Sequence, residues 1–576
     1  MSHHIWAQHY NPETKEEIGE LAHQHLSSML SEVAIQYANK VGFSQILPNG
    51  MHASLTYQQA DELSDAFACF LRNNLNLRQG DRVAVQLPNC LSYAIAVFGI
   101  LKAGCVLVNT NPLYKAEEMT HQFADAGAKA LVIIDMFTDA LPEVIPQTAI
   151  EHIITVRIDE FYSPIQSGLI RFIQKYVKRV IPHLTLPYTP FSQALEKGKS
   201  QLNKGESVKA FIEGLDENSL ALLQYTGGTT GVSKGAMLSH KNLISNMMQM
   251  LEMVGSYLKS GEETVLTALP LYHIFAFTVN LLGFYFMGSH NILIPSPRPA
   301  SNMKKAFETY DITWMSAVNT LLNSLLNETW FLENPPKHMK ATVSGGMPLH
   351  ENVAKKWERV TKSPVVEGYG LTESSPLLSF NPLGGKTKIN SIGIPAPSTE
   401  MKVVNEKGKE MPIGEAGEII AKGPQIMLGY WQRPEETANT IRDGWLYTGD
   451  VATMDEEGYF TIVDRKKDMI IVSGFNVYPN EVESCIAKYD GVMEVAVIGE
   501  PNDKTGEAVI AYVVRNSPDM TEENLRQFCK QHLADYKVPR RVIFQQELPK
   551  STVGKILRRS LRKQPNVQTM EVSEPA

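Results

Sequence analysis

The sequence predicts an α/β fold with a large N-terminal part and a small C-terminal part. Short apolar strands alternate with amphipathic helices from about residue 55 to 156 and again from about 219 to 366, which is typical of βαβ units around a mostly parallel sheet. From about residue 386 to 418, short strands are separated by Gly and Pro, which indicates a β-rich subdomain. Beyond Asp464, two helices and two strands form a complete small α/β unit.

Each predicted element has a local signal. In the first region the strand-like runs RVAVQLPN, CVLVNTNP and KALVIID flank the helical runs LSYAIAVFGILKAG and KAEEMTHQFADAGA. Gly104 and Gly127 lie where these two helices should end. In the C-terminal part, Thr521 is the predicted N-cap of a helix whose first turn contains Glu522 and Glu523. We predict domains at residues 1–464 and 465–576, with a polar tail from about residue 564.

Composition excludes several classes of protein. The 576 residues contain 54 Lys and Arg against 62 Asp and Glu, so the net charge of −8 disfavours non-specific nucleic-acid binding. The 5 cysteines are odd in number and include no CxxC pair, which fits neither a disulfide framework nor a structural zinc site. We therefore expect reduced, mostly buried thiols, a cytoplasmic location and no nucleic-acid partner.

Two segments raise the question of membrane contact. The apolar run Ile274–Gly288 is shorter than the roughly 18–20 residues that a bilayer requires, so a buried helix is the better interpretation. The polar N-terminus does not resemble a secretory signal. The segment Gly168–His183 has no acidic residue, so it could lie on an anionic membrane surface as an amphipathic helix. Its apolar face would consist of Leu169, Ile173, Tyr176, Val177 and Val180, and its basic face of Arg171, Lys175, Lys178 and Arg179. A packed helix with a solvated basic face is the slightly favoured alternative.

The strongest chemical signal is the run YTGGTTGVSKGA at residues 225–236, which follows the apolar run LALLQ. Such a loop can turn backbone N–H groups toward phosphate oxygens, with hydroxyls and Lys234 as further donors. The run is not a Walker A loop, because Lys234 follows Ser233 and precedes Gly235. It predicts a phosphate-binding loop outside the P-loop class.

Later segments contain further groups that suit a nucleotide. EGYGLTESSP, residues 367–376, offers Tyr369 for adenine stacking, Thr372 for a phosphate and Glu373 as a hard oxygen ligand for Mg²⁺. GWLYTGD ends in Asp450, whose carboxylate suits the two hydroxyls of a ribose. LPKSTVGKILRR places Lys555 after a Gly in a loop that opens a basic helix.

In this order, the segments resemble the adenylate-forming superfamily of acyl-CoA synthetases, luciferases and nonribosomal adenylation domains. The run DGWLYTGDVATMDEEGYFTIVDRKKDMIIVSGFNVYPNEVE is similar to the signature of long-chain fatty acid–CoA ligases, and PLYHIFAF with YTGGTTGVSKGAMLSH resembles the bacterial fatty-acid-degradation type. The likeness covers about residues 20–563. It implies a large adenylate-forming domain of two α/β subdomains and a β-rich subdomain, followed by a small mobile α/β domain.

The resemblance implies ATP-dependent ligation of a long-chain fatty acid to coenzyme A through an acyl-adenylate, for fatty acid uptake and β-oxidation. Adenine would stack on Tyr369, Gly345 and Gly346 would allow close backbone approach, and Asp450 would bind the ribose with Arg465 nearby. A loop would cover the β- and γ-phosphates, and its residues are Thr226, Gly227, Gly228, Thr229, Thr230, Gly231, Ser233 and Lys234.

Three further residues would act at the reacting phosphate. Thr372 would touch the α-phosphate, and Glu373 would ligate the Mg²⁺ that accompanies ATP. Lys555 would lie between the substrate carboxylate and the α-phosphate, where a fixed ammonium stabilises the charge that develops as pyrophosphate leaves. Many relatives have an R-T-x-x-G-K pattern where this chain reads KSTVGK, and Lys550 supplies the cation.

The resemblance also implies a second pose for thioester formation. The small domain would turn about a hinge at Asp464, withdraw Lys555 and build a channel for coenzyme A. Ser473 and Gly474 would then reach the adenylate.

For the acyl chain, the resemblance implies a tunnel beside His273. This histidine would position the acyl carboxylate, and Phe277 would gate a hydrophobic tunnel, in which each buried CH₂ contributes about 0.8 kcal/mol.

Alternatives remain at this point. A carrier-protein phosphopantetheine could replace coenzyme A as acceptor, the acyl chain could be shorter, or the protein could be a non-catalytic acyl or nucleotide sensor. A homodimer is expected by analogy with long-chain relatives. Peripheral association with the inner membrane is a hypothesis drawn from the charge pattern of Gly168–His183.

Overall fold

Local capping chemistry accounts for helix ends that the sequence predicts. The computed structural model describes residues 4–226, 233–473, 475–502, 504–516, 519–551 and 554–562. The helix Glu522–His532 begins after Thr521, whose side chain accepts a hydrogen bond from the Asn524 N–H. The helix Ala116–Ala126 ends at Gly127, which adopts a left-handed φ of 58°. Both predicted ends are confirmed.

The described residues contain strands along most of the chain. In chain order they are β1 (Val41–Ile46), β2 (His52–Thr56), β3 (Arg82–Gln86), β4 (Val106–Asn109), β5 (Ala130–Ile134), β6 (His152–Val156), β7 (Thr189–Pro190), β8 (Leu220–Thr226), β9 (Lys234–Ser239), β10 (Thr264–Thr267), β11 (His290–Leu293), β12 (Trp314–Ala317), β13 (Ala341–Gly345), β14 (Val365–Gly370), β15 (Leu377–Phe380), β16 (Ile394–Pro395), β17 (Glu400–Val404), β18 (Gly417–Lys422), β19 (Gly429–Tyr430), β20 (Ile441–Arg442), β21 (Trp445–Met454), β22 (Phe460–Arg465), β23 (Ile470–Val472), β24 (Phe475–Val477), β25 (Val492–Asn502), β26 (Gly506–Arg515) and β27 (Arg541–Gln545).

The α-helices are short to medium in length. They are α1 (Leu26–Gln36), α2 (Tyr57–Cys69), α3 (Leu91–Lys102), α4 (Ala116–Ala126), α5 (Leu141–Val144), α6 (Pro164–Phe172), α7 (Phe191–Leu202), α8 (His240–Val254), α9 (Ile274–Ala276), α10 (Lys304–Thr309), α11 (Asn319–Leu325), α12 (Thr329–Glu333), α13 (Glu351–Thr361), α14 (Pro434–Thr440), α15 (Pro479–Ile486), α16 (Glu522–His532) and α17 (Arg558–Arg562). Three of them, α2, α6 and α9, continue as wider π-helical turns over Phe70–Asn74, Ile173–Val177 and Phe277–Phe284.

The chain divides into two compact units. The first contains the described residues of Met1–Met401, Ile420–Tyr447 and Glu457–Tyr459, and the second those of Lys402–Ile419, Thr448–Glu456 and Phe460–Ala576. The predicted domain boundary at Asp464 refers to the segments that would rotate as one body about the hinge. This boundary stays a prediction.

Two large sheets form the first unit. One has nine strands in the order β16-β15-β14-β13-β12-β10-β11-β1-β2, and its inner pairs from β14 to β1 are parallel. The other has eight strands in the order β19-β9-β8-β4-β3-β5-β6-β7, parallel from β8 to β7. Every residue of α3 is buried, in a core that also includes Phe43 of β1 and Leu107 of β4. The predicted mostly parallel sheets are confirmed.

The second unit is built around a smaller sheet. Its strands lie in the order β24-β23-β26-β25, with β27 parallel to β26. Helices α15 and α16 cover a core that includes Val482, Cys485, Leu525 and Cys529. The helix predicted over NEVESCIAKYDGV is shorter than expected and ends at Ile486. All 5 cysteines of the chain are free and buried, as expected.

Candidate active site

The β8–β9 hairpin holds both ends of the predicted phosphate loop. Thr226 and Lys234 are register partners where β8 ends and β9 begins. The backbone carbonyl of Ser233 lies 3.0 Å from Nε2 of His121. The remaining loop residues named above, Gly227, Gly228, Thr229, Thr230 and Gly231, lie outside the described residues. The register therefore fixes where the loop starts and returns.

A charged cluster anchors this hairpin. The Tyr225 hydroxyl donates to Oδ2 of Asp125 at 2.7 Å, and Oδ1 of Asp125 pairs with Arg433 at 2.6 Å. A Cβ atom at Gly235 would lie 3.1 Å from the Tyr225 ring, closer than most real Cβ contacts. The sequence did not reveal the contact between Asp125 and the loop, because Asp125 lies 100 residues before Tyr225.

Glu373 and Lys234 meet around a tyrosine that sequence reasoning missed. Oε1 of Glu373 accepts a hydrogen bond from the Tyr430 hydroxyl at 2.6 Å. Nζ of Lys234 lies 5.4 Å from the centroid of the Tyr430 ring and 3.8 Å from the Glu436 carboxylate. Burial and then the neighbouring Glu373 raise the pKa of Tyr430, so it stays a hydrogen-bond donor at neutral pH. The structure thus brings together two predicted site residues from separate motifs.

The carboxyl ends of β13 and β14 carry another predicted group. Gly345 is the parallel register partner of Gly368, and a Cβ atom at Gly345 would lie only 3.0 Å from the Gly368 carbonyl oxygen. Gly346 follows with a φ of 78°. Tyr369 lies on β14 opposite Ser379 of β15, and Thr372 opens the single turn Thr372–Ser374 just beyond. Ligands of open α/β sheets bind at this edge.

An acid with a raised pKa, Glu367, lies at the same edge. Burial raises the pKa of Glu367 to about 8, although the Leu349 N–H donates to its carboxyl at 3.2 Å. At neutral pH this carboxyl is mostly protonated, so it places little negative charge near Tyr369. The sequence did not single out Glu367, because desolvation depends on the fold.

His273 caps the apolar segment Ile274–Gly288, which was predicted to be a buried helix. Its Nδ1 accepts from the Phe275 N–H at 3.4 Å, and the helix continues through the π-helical turn Phe277–Phe284. Phe277 is completely buried. Among the described residues no helix has both the length and the apolar character to cross a membrane. The buried helix is confirmed, whereas the tunnel gate at Phe277 stays a prediction.

The second unit carries the predicted ribose and lysine residues. Asp450 and Arg465 are register partners of β21 and β22, with Nε of Arg465 3.1 Å from Oδ1 of Asp450. The Lys555 loop is closed by hydrogen bonds from the Ser551 N–H to the Lys555 carbonyl at 2.7 Å and from the Lys555 N–H to Oγ of Ser551 at 3.1 Å. Gly554 between them has a φ of 89°.

Lys555 is held in a cationic environment. Burial is the largest cause that lowers its pKa, to about 7, and the nearby Arg465 lowers it further. Asp450 opposes this shift, while Arg558 and Lys467 add to it. The side chain therefore titrates near neutral pH, which marks it as a functional candidate.

Asp464, the predicted hinge, is fully buried. Its Oδ1 accepts from the Arg465 N–H at 2.7 Å and its Oδ2 from the Asn480 N–H at 2.8 Å, and burial raises its pKa to about 6. Arg558 lies 3.3 Å from Asp464 and 2.7 Å from Glu483. Arg558 stands in the run GKILRR, but its partner lies 94 residues earlier, so spacing did not reveal the pair.

Ser473 occupies a turn next to β23. It has a φ of 52°, and its N–H donates to the Thr505 carbonyl at 2.7 Å. Gly474, its predicted companion, lies outside the described residues. The role of Ser473 in thioester formation stays a prediction.

Comparisons with known proteins agree with this organisation. The family model described as AMP-binding enzyme matches residues 30–431, and the model described as AMP-binding enzyme C-terminal domain matches residues 481–555. The chain is 46% identical over 560 residues to a long-chain-fatty-acid–CoA ligase of Salmonella typhimurium, covering 97% of this chain and 98% of the relative. A long-chain-fatty-acid–CoA ligase of Bacillus subtilis is 36% identical, with 94% of each chain covered.

Solved structures show the same architecture. ATP-bound MatB from Rhodopseudomonas palustris superimposes with a TM-score of 0.79 at 28% identity, over 93% of this chain and 98% of that chain. A fatty acyl CoA synthetase of Mycobacterium tuberculosis superimposes with a TM-score of 0.64 at 27% identity, over 93% of this chain and 97% of that chain.

Proposed function

Because the chain belongs to the AMP-binding enzyme family, we propose that it ligates long-chain fatty acids to coenzyme A at the expense of ATP. The observation that carries the proposal is Lys555, a desolvated lysine beside the Asp450–Arg465 pair with a pKa lowered to about 7. The identities of 46% and 36% to enzymes named long-chain-fatty-acid–CoA ligases, which extend over 97% and 94% of this chain, support the substrate class.

In the first half-reaction, a carboxylate oxygen of the fatty acid attacks the α-phosphorus of ATP. The new bond is the acyl–phosphate bond, the bond to the β-phosphate oxygen breaks, and pyrophosphate leaves. The Lys555 ammonium stabilises the negative charge that develops there, and Thr372 donates to the same phosphate. Lys234 binds the outer phosphates, and His273 orients the carboxylate.

In the second half-reaction, the thiolate of coenzyme A attacks the acyl carbonyl and AMP leaves. Ser473 and Gly474 serve this step, with Asp464 as the hinge between the two half-reactions. Arg558 holds the Asp464 carboxylate and α15 through Glu483, so it is a positioning residue for the hinge. Phe277 gates the acyl tunnel.

The residues present fit Mg²⁺ delivered with ATP. Glu373 presents a hard oxygen ligand, and the Tyr430 hydrogen bond fixes the carboxylate through Oε1. Within the described ranges, no cluster of three or more His, Cys, Asp or Glu side chains forms a metal site by itself. This arrangement suits Mg²⁺ that keeps waters and phosphates as its other ligands. When bound, the ion would offset phosphate charge.

The cellular setting is part of the proposal. Ligation to coenzyme A retains an imported fatty acid and prepares it for β-oxidation. The free thiols favour a cytoplasmic location, and a homodimer is proposed by analogy with long-chain relatives. We also propose peripheral association with the inner membrane.

The test is AMP formation from ATP, Mg²⁺ and coenzyme A with fatty acids of increasing chain length. We expect turnover to rise toward long chains and Lys555→Ala to lower acyl-dependent pyrophosphate exchange about 10²–10³-fold. Lys530→Ala, an exposed lysine of α16, is the matched control and should keep full activity.

Two results would overturn the assignment. Acylation of a carrier protein without acyl-CoA formation would show that the acceptor is wrong. Tight ATP binding without turnover on any acceptor would point to a sensor.

A further inference from the structure

One helix of the first unit has its polar and apolar sides reversed. Helix α6 and its continuation Ile173–Val177 form this segment, here called the inverted helix. Three of its polar residues bond to the rest of the protein. Oγ of Ser167 donates to Asp159 at 2.5 Å, Arg171 pairs with Asp135, and Nε2 of Gln174 lies 3.4 Å from Sδ of Met136.

The opposite side carries an apolar stripe that faces solvent. The stripe consists of Ile165, Leu169, Phe172 and Tyr176, which are 86%, 51%, 56% and 61% exposed. Their spacing of four, three and four residues places them on one helical face. A surface helix normally buries such a face, and contiguous exposed apolar patches mark interaction sites.

The favoured sequence interpretation, a packed helix with a solvated basic face, is right about the exposed Lys175, Lys178 and Arg179 but wrong about the apolar side, which is not packed. The sequence had grouped Arg171 with the solvated charges, but Arg171 pairs with Asp135. It had grouped Ile173 with Leu169 and Tyr176 on the apolar face, but Ile173 is partly buried and Phe172 is exposed. The predicted helical conformation is correct, but only the tertiary contacts decide which face of the helix packs against the protein.

The charges around the stripe are positive. Lys175, Lys178 and Arg179 are exposed, and no acidic residue occurs in residues 168–183. Nζ of Lys175 lies 5.6 Å from the Tyr176 ring centroid. Phe172 and Tyr176 pack with their ring centroids 5.4 Å apart. Exposed aromatic rings beside lysines suit the boundary between lipid headgroups and acyl chains.

We propose that the inverted helix docks on an anionic lipid bilayer. The apolar stripe enters the headgroup boundary, and Lys175, Lys178 and Arg179 contact anionic phosphates. Charge complementarity favours a bilayer over a second copy of this chain, whose net charge of −8 is spread over 576 residues. The inference assigns a surface to the proposed membrane association and concerns binding, so it does not require the ligase reaction.

The experiment is co-sedimentation of the full chain with vesicles of phosphatidylglycerol or of phosphatidylcholine, without substrate. We expect wild type to bind phosphatidylglycerol vesicles at least about tenfold more tightly. The double variant F172E/Y176E should lose this binding. The matched control I35E/L332E introduces the same charges at apolar residues that are 76% and 42% exposed elsewhere, and it should bind like wild type.

A second double variant separates the contribution of charge to vesicle binding from that of apolar contact. K175E/K178E should bind phosphatidylglycerol vesicles at least about 20-fold more weakly at low salt, because each lysine near the surface contributes roughly fivefold. The difference from wild type should shrink at high salt.

Three outcomes would overturn the proposal. These are equal vesicle binding by F172E/Y176E and wild type, no preference for anionic vesicles, and conversion of a dimer to a monomer by F172E/Y176E without loss of vesicle binding. The last would make the stripe a self-association face. Far-UV circular dichroism and turnover of a soluble fatty acid check that the variants fold. If wild type shows no ligase activity, the proposed function is wrong, but the vesicle-binding result still tests the membrane proposal.

Discussion

Lys102 and Lys555 are both desolvated lysines, yet their surroundings are opposite. Lys102 ends α3 in the core of the first unit and is 2% exposed, and its Nζ lies 2.5 Å from Asp61 and 2.6 Å from Asp65. Lys555 lies in the second unit near Arg465, Arg558 and Lys467, with Asp450 as the opposing charge. One ammonium is paired twice, and the other is surrounded by more positive than negative charge.

The difference separates a structural lysine from a functional one. Two carboxylates around Lys102 compensate the loss of water, so the charge supports the packing of α2 against α3. Around Lys555 the neighbours disfavour the ammonium, and an added phosphate or carboxylate would restore the balance. A side chain that is costly to the fold and matched to a ligand is typical of an active site.

The largest expected effect is on stability at Lys102. Lys102→Ala leaves Asp61 and Asp65 without their cation, and we expect the free energy of unfolding to fall by about 3 kcal/mol. This is the lower end of the range for breaking a buried pair, because the two carboxylate side chains are 21% and 25% exposed. Urea unfolding measures the change, and D61N/D65N/K102M is the control that removes all three charges. A loss below about 1 kcal/mol for Lys102→Ala would show that the pairing is not structural.

Substitution of Lys555 should change the free energy of unfolding in the opposite direction. Its pKa is lowered to about 7 in the folded protein and is about 10.4 when unfolded, so the unfolded chain binds more protons between these values. Stability of wild type therefore rises with pH across that window, and the full desolvation cost is present at and below pH 7. We expect Lys555→Met to gain about 0.5–2 kcal/mol at pH 7 and to lose this pH dependence. Destabilisation measured by urea unfolding would contradict this sign.

The smallest effect concerns the pH profile. The ammonium is the active form, so kcat/KM for ATP in adenylation should fall above about pH 7, where Lys555 of the free enzyme loses its proton. Lys467→Met removes one cation and should move this decline upward by about 0.3–0.5 pH units. Lys466→Met is the matched control, because Lys466 is also exposed and pairs with Glu418 at 3.6 Å. Equal shifts in both variants would mean that Lys467 does not act on Lys555.

Much of the fold was predictable because its signals are local. The caps at Thr521 and Gly127, the buried strands and the apolar helix after His273 depend on neighbouring residues, and the structure confirms them. The apolar run before the phosphate loop is strand β8, but its antiparallel pairing with β9 after the loop was not predicted from the sequence. The length of α15 was not predicted, because the helix ends at Ile486 although the apolar pattern continues beyond it.

The sequence by itself determined the order of the elements, the motifs and the family, because these depend on residue type and spacing. Tertiary structure decided that Tyr430 holds Glu373, that Arg558 holds Asp464, and that α6 turns its apolar stripe outward. It also decided that Lys555 titrates near pH 7 and that Lys102 is paired. Desolvation and pairing depend on which side chains meet across long separations, and only the folded chain brings those groups together.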